Sequence, residues 1–402
     1  MFAILRRHGL PDHCLNTIIR LHSEAKIKIA IPGCEEDAEV ASTIGVRQGS
    51  TEGPVLFLFF MQAVFDTLEW PNDIKPPSFD SQLNSFEHKA THGKCEFNFW
   101  ASLFADDCAL IFQTREELVR GTKHFFLHMK KLGLNMHVGR PGDTDTSKTV
   151  AIFFPKRNGT SQGDKRRIEM VDELGNPCYV DFVDYIKYLG SIIDSSLSCE
   201  RDILARLKTA QMMFGALSKD IMRNNWLNLK VKGQIFRALI LSVLLYGSEC
   251  WTLTADLYKQ LRNFFNSSVR KMCRSTYWRT TKRERIHSWE LRERVGLRSF
   301  DDYYVSRLLR WAGKVQRMPM SRLPKLLWSA SMTLPKGSGN RSTYHQTVKA
   351  ALKAVGYDVK GDKDWAFAAS DLKQWDTETR VVQESFYAES SKFKKTELER
   401  LE

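Results

Sequence analysis

"LFADDCALIF", residues 103–112, sets two aspartates side by side between two apolar runs. Adjacent carboxylates repel, and burying either one unpaired is costly, so a fold gains nothing from them there. The flanking runs, 97–105 and 108–112, are β-prone, and the pattern predicts a hairpin with Asp106 and Asp107 at its tip. Read alone, such a turn is either solvated or an anchorage for something positive.

Upstream, "VLFLFFMQAV" (55–64) is too densely apolar for a surface helix and predicts a buried one running to residue 68. A glycine-punctuated loop, "TIGVRQGSTEGP" (43–54), leads into it. Downstream, a helix is predicted from about residue 116 to 132 with Gly133 as its stop, then a short strand at 149–154. A hairpin around "ELGNP" (173–177) and a strand-like segment, "YIKYLGSII" (185–193), follow. This order of elements predicts an α+β domain. Beyond Cys199 the pattern changes: Ile203, Leu207, Ala210, Phe214 and Leu217 recur at helical spacing, and two further stripes predict an all-α bundle over roughly 200–320. Residues 321–402 are polar and loop-rich, with helix in patches.

Composition bounds the partners. A chain of 402 residues with 43% hydrophobic and 27% charged content builds ordinary cores. Its net charge of +13 favours a polyanion, either nucleic acid or an anionic surface. The longest apolar run falls short of the ~18 residues a spanning helix requires. Met1–Arg7 has no secretory pattern, and the eight cysteines are scattered without a CxxC, so an intracellular protein, nuclear or cytoplasmic, with reduced thiols is expected.

Four motifs in order carry a resemblance. "GVRQGSTEGPVLFLFFM" (45–61), "FADD" (104–107), "LGLNMHVGRPGDTDTSKTVAIFF" (132–154) and "YIKYLGSIID" (185–194) are similar to successive palm motifs of the reverse transcriptases of non-LTR (LINE-type) retrotransposons. "LLYGSECWTLT" (244–254) and "LRWAGKVQRM" (309–318) look like stretches of the family's thumb and beyond. The resemblance implies a partial fingers and palm domain over 1–198, an antiparallel sheet with helices. It implies a helical thumb and connection over 199–320 and a helical, loop-rich tail over 321–402.

The same resemblance implies an RNA-directed DNA polymerase working by two-metal nucleotidyl transfer, with Mg²⁺, or Mn²⁺ in its place, held by Asp106 and Asp107. Mg²⁺ asks for one or two protein carboxylates and takes its other ligands from phosphate and water. By position, Gln48 and Gly49 would order template and incoming nucleotide, Lys148 would protonate the pyrophosphate, and Tyr188, Leu189 and Gly190 would hold the primer end. RNA template, DNA primer and dNTPs are the implied partners. The family's first palm motif, which carries the other essential aspartate, is not found ahead of Gln48. Asp66, at the end of an apolar helix, does not replace it. The chain as given is therefore expected to be an N-terminally truncated, inactive polymerase, with a non-catalytic nucleic-acid binder as the alternative.

Two basic stretches suit a nucleic-acid grip. "VRKMCRSTYWRTTKRER" (269–285) holds seven Lys or Arg around Tyr277 and Trp278, with Arg270, Lys271, Arg274, Arg279, Lys282 and Arg283 as phosphate contacts. Ser299 and Asp302 predict a capping-box start for a helix whose Tyr304, Leu308, Trp311 and Val315 share a face, with Arg307, Arg310, Lys314 and Arg317 along its edge as a row of cations. His88, His92 and Cys95, with Cys108 further on, have a spacing that could bind zinc but lack a paired fourth ligand, and read as loop residues.

Overall fold

The structure, a computed structural model, describes residues 1–23, 25–29, 38–41, 45–46, 49–82, 94–142, 147–154, 167–172, 174–274, 286–332, 344–357, 365–380 and 382. The chain forms two units, one of Met1–Pro77, Asn98–Ala151 and Asp164–Phe182, the other of Ser78–Phe97, Ile152–Gly163 and Val183–Glu402. The first is mixed α and β and the second almost wholly helical.

The first unit opens with α1 (Phe2–Arg7), α2 (Asp12–Ser23), the antiparallel pair β1 (Lys26–Ile29) and β2 (Ala38–Ala41), and α3 (Gly53–Asp66). Strands β3 (Ser78–Gln82) and β4 (Lys94–Asn98) pair with each other, and β3 lies within the second unit. The first unit resumes with the hairpin β5 (Ala101–Phe104) and β6 (Asp107–Leu110), α4 (Arg115–Lys131), β7 (Val150–Ala151), β8 (Ile168–Val171) and β9 (Pro177–Phe182). A three-stranded sheet, ordered β7-β9-β8, pairs β9 in parallel with β7 and antiparallel with β8. The expected antiparallel palm sheet is thus divided among the described residues into small ladders, because no described strand joins the β5–β6 hairpin to the three-stranded sheet.

Helix α4 is the organiser. Thr114 Oγ1 accepts from the Glu117 backbone N–H at 3.1 Å and the Glu117 carboxylate accepts from Thr114 N–H at 3.2 Å, a capping box, while Gly133 ends the helix at φ +78°. Its consecutive Phe125 and Phe126 face different partners. Phe125 packs with Met61 and Val64 of α3 and with Cys108 and Leu110 of β6. Phe126 joins Ile168, Met170, Cys178 and Val180 of the β8–β9 ladder. The apolar density of 55–68 predicts a helix buried all round, and α3 corrects this. Leu56, Met61 and Val64 recur on one buried face, whereas Val55 is 52% and Leu58 55% exposed. Density alone does not tell a buried helix from one with a bare side.

The second unit begins with β10 (Tyr185–Tyr188) and β11 (Ser191–Asp194), then α5 (Glu200–Ala216) and a π turn at Ser218–Met222. A continuous helical run follows, made of α6 (Leu229–Ile235), a π segment at Phe236–Leu241 and α7 (Ser242–Leu244). After a 3₁₀ turn at Ser248–Cys250 come α8 (Ala255–Met272), α9 (Ser288–Val295), α10 (Phe300–Gln316), α11 (Leu323–Met332), α12 (Tyr344–Ala354), α13 (Trp365–Ala368) and α14 (Leu372–Glu378). A single hydrophobic core runs from Ile203 to Trp375. The helical packing therefore does not stop near residue 320. Val348, Ala351, Trp365 and Trp375 bury against the same core, a set of contacts too widely spaced in sequence for periodicity to reveal. Among the described residues no helix is long and apolar enough to cross a membrane.

One glycine fixes how closely two of these helices approach. A Cβ on Gly233 of α6 would stand 1.9 Å from the Val295 carbonyl oxygen at the end of α9. Gly233→Ala should destabilise the protein by about 3 kcal/mol, since backbone cannot move aside as a side chain can. Chemical denaturation checks this, and a variant as stable as the parent would mean that α6 and α9 do not touch there.

Candidate functional site

In the β5–β6 hairpin Phe104 pairs with Asp107, leaving Ala105 and Asp106 as the two turn residues. The left-handed backbone falls at Ala105, at φ +52°. A two-residue turn with positive φ at its first position matches the twist of the strands it joins. The expected tip of Asp106 and Asp107 is corrected by one residue: Asp106 lies in the turn with Ala105, Asp107 opens β6, and both are exposed. Behind them Cys108 and Leu110 pack toward α3 and α4. Alternation along a strand then directs Asp107 to the other face, away from the apolar cluster. Burial pushes the Cys108 thiol up to about 11, so at neutral pH it is protonated and packs as an apolar group, not as a metal-binding thiolate. His88 and His92 lie outside the described residues.

The turn offers two hard oxygen ligands close together, the donor chemistry that suits Mg²⁺ or Mn²⁺ when phosphate oxygens complete the shell. Among the described residues no group of three or more His, Cys, Asp or Glu side chains assembles into a metal cage. Asp106 and Asp107 thus stand as exposed carboxylates outside any such group among the described residues. Gly49 is described, at φ +85°, a conformation that favours glycine, and Gln48 lies outside the described residues. Ser50 Oγ, next in the chain, accepts from Gly53 N–H at 3.1 Å at the start of α3. Lys148 is exposed, and its backbone N–H donates to His137 Nδ1 at 3.2 Å.

"YIKYLGSIID" is not one strand but a tight hairpin. Tyr188 pairs with Ser191, and the turn is Leu189 at φ +47° and Gly190 at φ +85°. A leucine in the left-handed region is strained by about 1–2 kcal/mol, so surrounding contacts must hold it. Tyr246 O–H donates to the Leu189 carbonyl at 2.8 Å, and the Arg206 guanidinium donates to the Gly190 carbonyl. Arg206 also lies 4.4 Å from the centre of the Tyr246 ring, a cation–π contact. Beneath them Asp202, 4% exposed in the first turn of α5, accepts from Ile192 N–H and from Trp251 Nε1–H, each at 2.9 Å, and faces Arg206 at 3.8 Å. At the far end of the hairpin Asp194 accepts from Arg201 at 2.7 Å. Partial burial works against its ionisation, but hydrogen bonds from Ser196 and Arg201 outweigh that and hold the carboxyl below the usual range.

Sequence reasoning singled out Tyr188, Leu189 and Gly190 but missed the four residues that lock the turn: Asp202, Arg206, Tyr246 and Trp251. The signal available was modest. Asp202 and Arg206 are four apart on one helix, and "LLYGSECW" combines a tyrosine, a positive-φ glycine at Gly247 and a tryptophan in eight residues.

On α10 the four cations of the expected row each meet a partner within the helical unit. Arg307 pairs with Glu249 at 3.2 Å, Arg310 pairs with Asp376 at 3.1 Å, Arg317 donates to the Ala369 carbonyl at 2.6 Å, and Lys314 stands over the Trp311 ring at 5.8 Å. Glu249, Asp376 and Ala369 are remote in sequence from the arginines that meet them, whereas Trp311 lies three residues from Lys314 on the same helix. The capping box at Ser299 and Asp302 is present. At the end of α8, Arg270 donates to Ser288 at 2.9 Å, Lys271 lies 5.8 Å from the Phe214 ring, and Arg274 is exposed. Arg279, Lys282 and Arg283 lie outside the described residues.

Comparison with known proteins now bears on these observations. A search against protein-family models finds no match. The chain is similar to a transposon-derived protein. That relative, an uncharacterized transposon-derived protein of Caenorhabditis elegans, is 25% identical over 280 residues, covering 68% of this chain and 92% of its own length. The similarity suggests a transposable-element origin.

Proposed function

We propose that this chain is a reverse-transcriptase segment of a non-LTR (LINE-type) retrotransposon, which binds a template–primer duplex and has the remains of a nucleotidyl-transfer site. The observation that carries the reading is the exposed Asp106–Asp107 pair on a two-residue β-turn whose strand packs on α3 and α4. The transposon-derived relative supports it. Mg²⁺ or Mn²⁺ on this pair would stabilise charge on a departing pyrophosphate. Gln48 and Gly49 order template and nucleotide, the Lys148 ammonium serves as proton donor to the pyrophosphate, and the clamped Leu189–Gly190 turn supports the primer end.

With two carboxylates in the described site and no third, positioned catalysis is not expected, because a metal displaced by on the order of 1 Å already loses most of its effect. A second reading within the same origin is a binder of nucleic acid that does not copy it. The 402-residue chain should give no extension of oligo(dT) on poly(rA) with Mg²⁺, yet bind the duplex with an affinity that falls steeply as salt rises. Extension that Asp106→Ala abolishes would establish an active polymerase, and binding indifferent to salt would remove the nucleic-acid reading altogether.

A further inference from the structure

A cavity of about 640 Å³ opens between α5 and α8 in the helical unit, a size within the range of small-molecule sites. Its floor is apolar. Leu207 and Phe214 are buried there, and the half-buried Phe264 meets Phe214 edge-on at 6.4 Å between ring centres. Its rim is polar. Gln211 of α5 and Gln260 and Asn263 of α8 are exposed around it, and their amides make no hydrogen bond among the described residues. The Lys271 ammonium stands 5.8 Å from the centre of the Phe214 ring. Among the described residues no Asp or Glu lines the cavity.

Gly215 lines it too, and nothing within the chain calls for a glycine there. It lies inside α5 without a left-handed backbone, where alanine would make the better helix, and a Cβ added to it would meet nothing within 4 Å. What the missing side chain leaves is room in the cavity.

We propose that this cavity takes one unpaired nucleotide of a nucleic-acid strand, with its base over the aromatic floor and among the amides and its phosphate toward Lys271. The choice of a strand rests on the reading given above. Each amide carries donors and an acceptor and so matches a base edge, which presents both. An aromatic floor suits the face of any base, as it does where single strands are bound. One ammonium in a lining free of carboxylates suits one phosphate. A base inside a duplex has its pairing edge and both faces already occupied, so the site selects an unpaired one. Of these polar residues the sequence marked only Lys271.

The test compares the full chain with Gly215→Leu, which fills the cavity from a position where an added Cβ meets no atom. A fluorescent oligo(dA) single strand and a blunt duplex are titrated by anisotropy, and melting is followed alongside. The site predicts that Gly215→Leu melts no lower than the parent, binds the single strand about tenfold more weakly and binds the duplex within about twofold of the parent. Lys271→Met should lower the slope of log K against log salt for the single strand by about 0.7. Equal strand affinity in parent and Gly215→Leu overturns the site, and salt-sensitive duplex binding by both then leaves the nucleic-acid reading intact. An equal loss for strand and duplex overturns the selection of an unpaired nucleotide. A parent that binds neither sinks the nucleic-acid reading. The cavity is then judged with adenosine monophosphate by thermal shift: stabilisation of the parent alone keeps it as a site for a free nucleotide, and equal shifts overturn it. Should Gly215→Leu fail to fold, the double variant Gln260→Ala, Asn263→Ala, at exposed positions, is judged by the same readouts.

Discussion

Asp202→Ala should lower the stability of the helical unit by about 3–5 kcal/mol, the range seen when one partner of a buried ionic network is removed. The physical reason is what stays behind. Ile192 N–H and Trp251 Nε1–H each lose an acceptor at 2.9 Å in a site where Trp251 is 2% exposed, and Arg206 loses its carboxylate. Each orphaned buried donor alone costs about 1–3 kcal/mol. Asp202 also stands in the first turn of α5, where its negative charge complements the helix dipole. Asp202→Asn retains an oxygen for one donor and should cost about half as much. Denaturation midpoints give the magnitude, and amide exchange gives the place. In Asp202→Ala the Ile192 amide should exchange far faster, and the Leu189–Gly190 turn should loosen with it. A variant of parental stability would mean that the hairpin is held by Tyr246 and Arg206 alone.

Trp375→Ala should cost about 3–5 kcal/mol, as truncation of a fully buried large aromatic does. Trp375 is 1% exposed, lies near Tyr357 at 5.8 Å and Trp365 at 5.9 Å between ring centres, and donates from Nε1 to the Leu309 carbonyl of α10 at 2.8 Å. It sits so close over α10 that a Cβ on Gly313 would meet its indole nitrogen at 2.2 Å. Losing the ring opens a cavity among α10, α12 and α14 and frees the segment whose Thr379 carbonyl accepts from Ser306 at 2.8 Å. Limited proteolysis should then cut between α12 and α14 under conditions that spare the parent. Trp375→Phe, which lacks only the donor and part of the ring, should fall between the two. Proteolysis and melting unchanged in Trp375→Ala would separate this segment from the core.

Local chemistry was legible in the sequence and long-range pairing was not. The hairpin around Asp106, the capping box at Ser299 and the stop at Gly133 are written in residues within four positions of one another. The second hairpin was read as a single strand because Leu189 is a poor turn residue, acceptable only because Arg206 and Tyr246 reach it from elsewhere in the chain. The ion pairs of Arg307 and Arg310 on α10 were not legible because Glu249 and Asp376 are remote in sequence. Of the candidate site, the carboxylates were legible in the sequence, and the side chains that hold the Leu189–Gly190 turn were not.

Binding of Mn²⁺ to the full chain, followed by electron paramagnetic resonance with duplex and a nucleoside triphosphate present, probes the acidic turn most directly. One Mn²⁺ should be retained that the double variant Asp106→Asn, Asp107→Asn loses, with duplex affinity in the variant otherwise little changed. Equal Mn²⁺ retention by parent and variant would contradict the assignment of this turn as the cation anchorage.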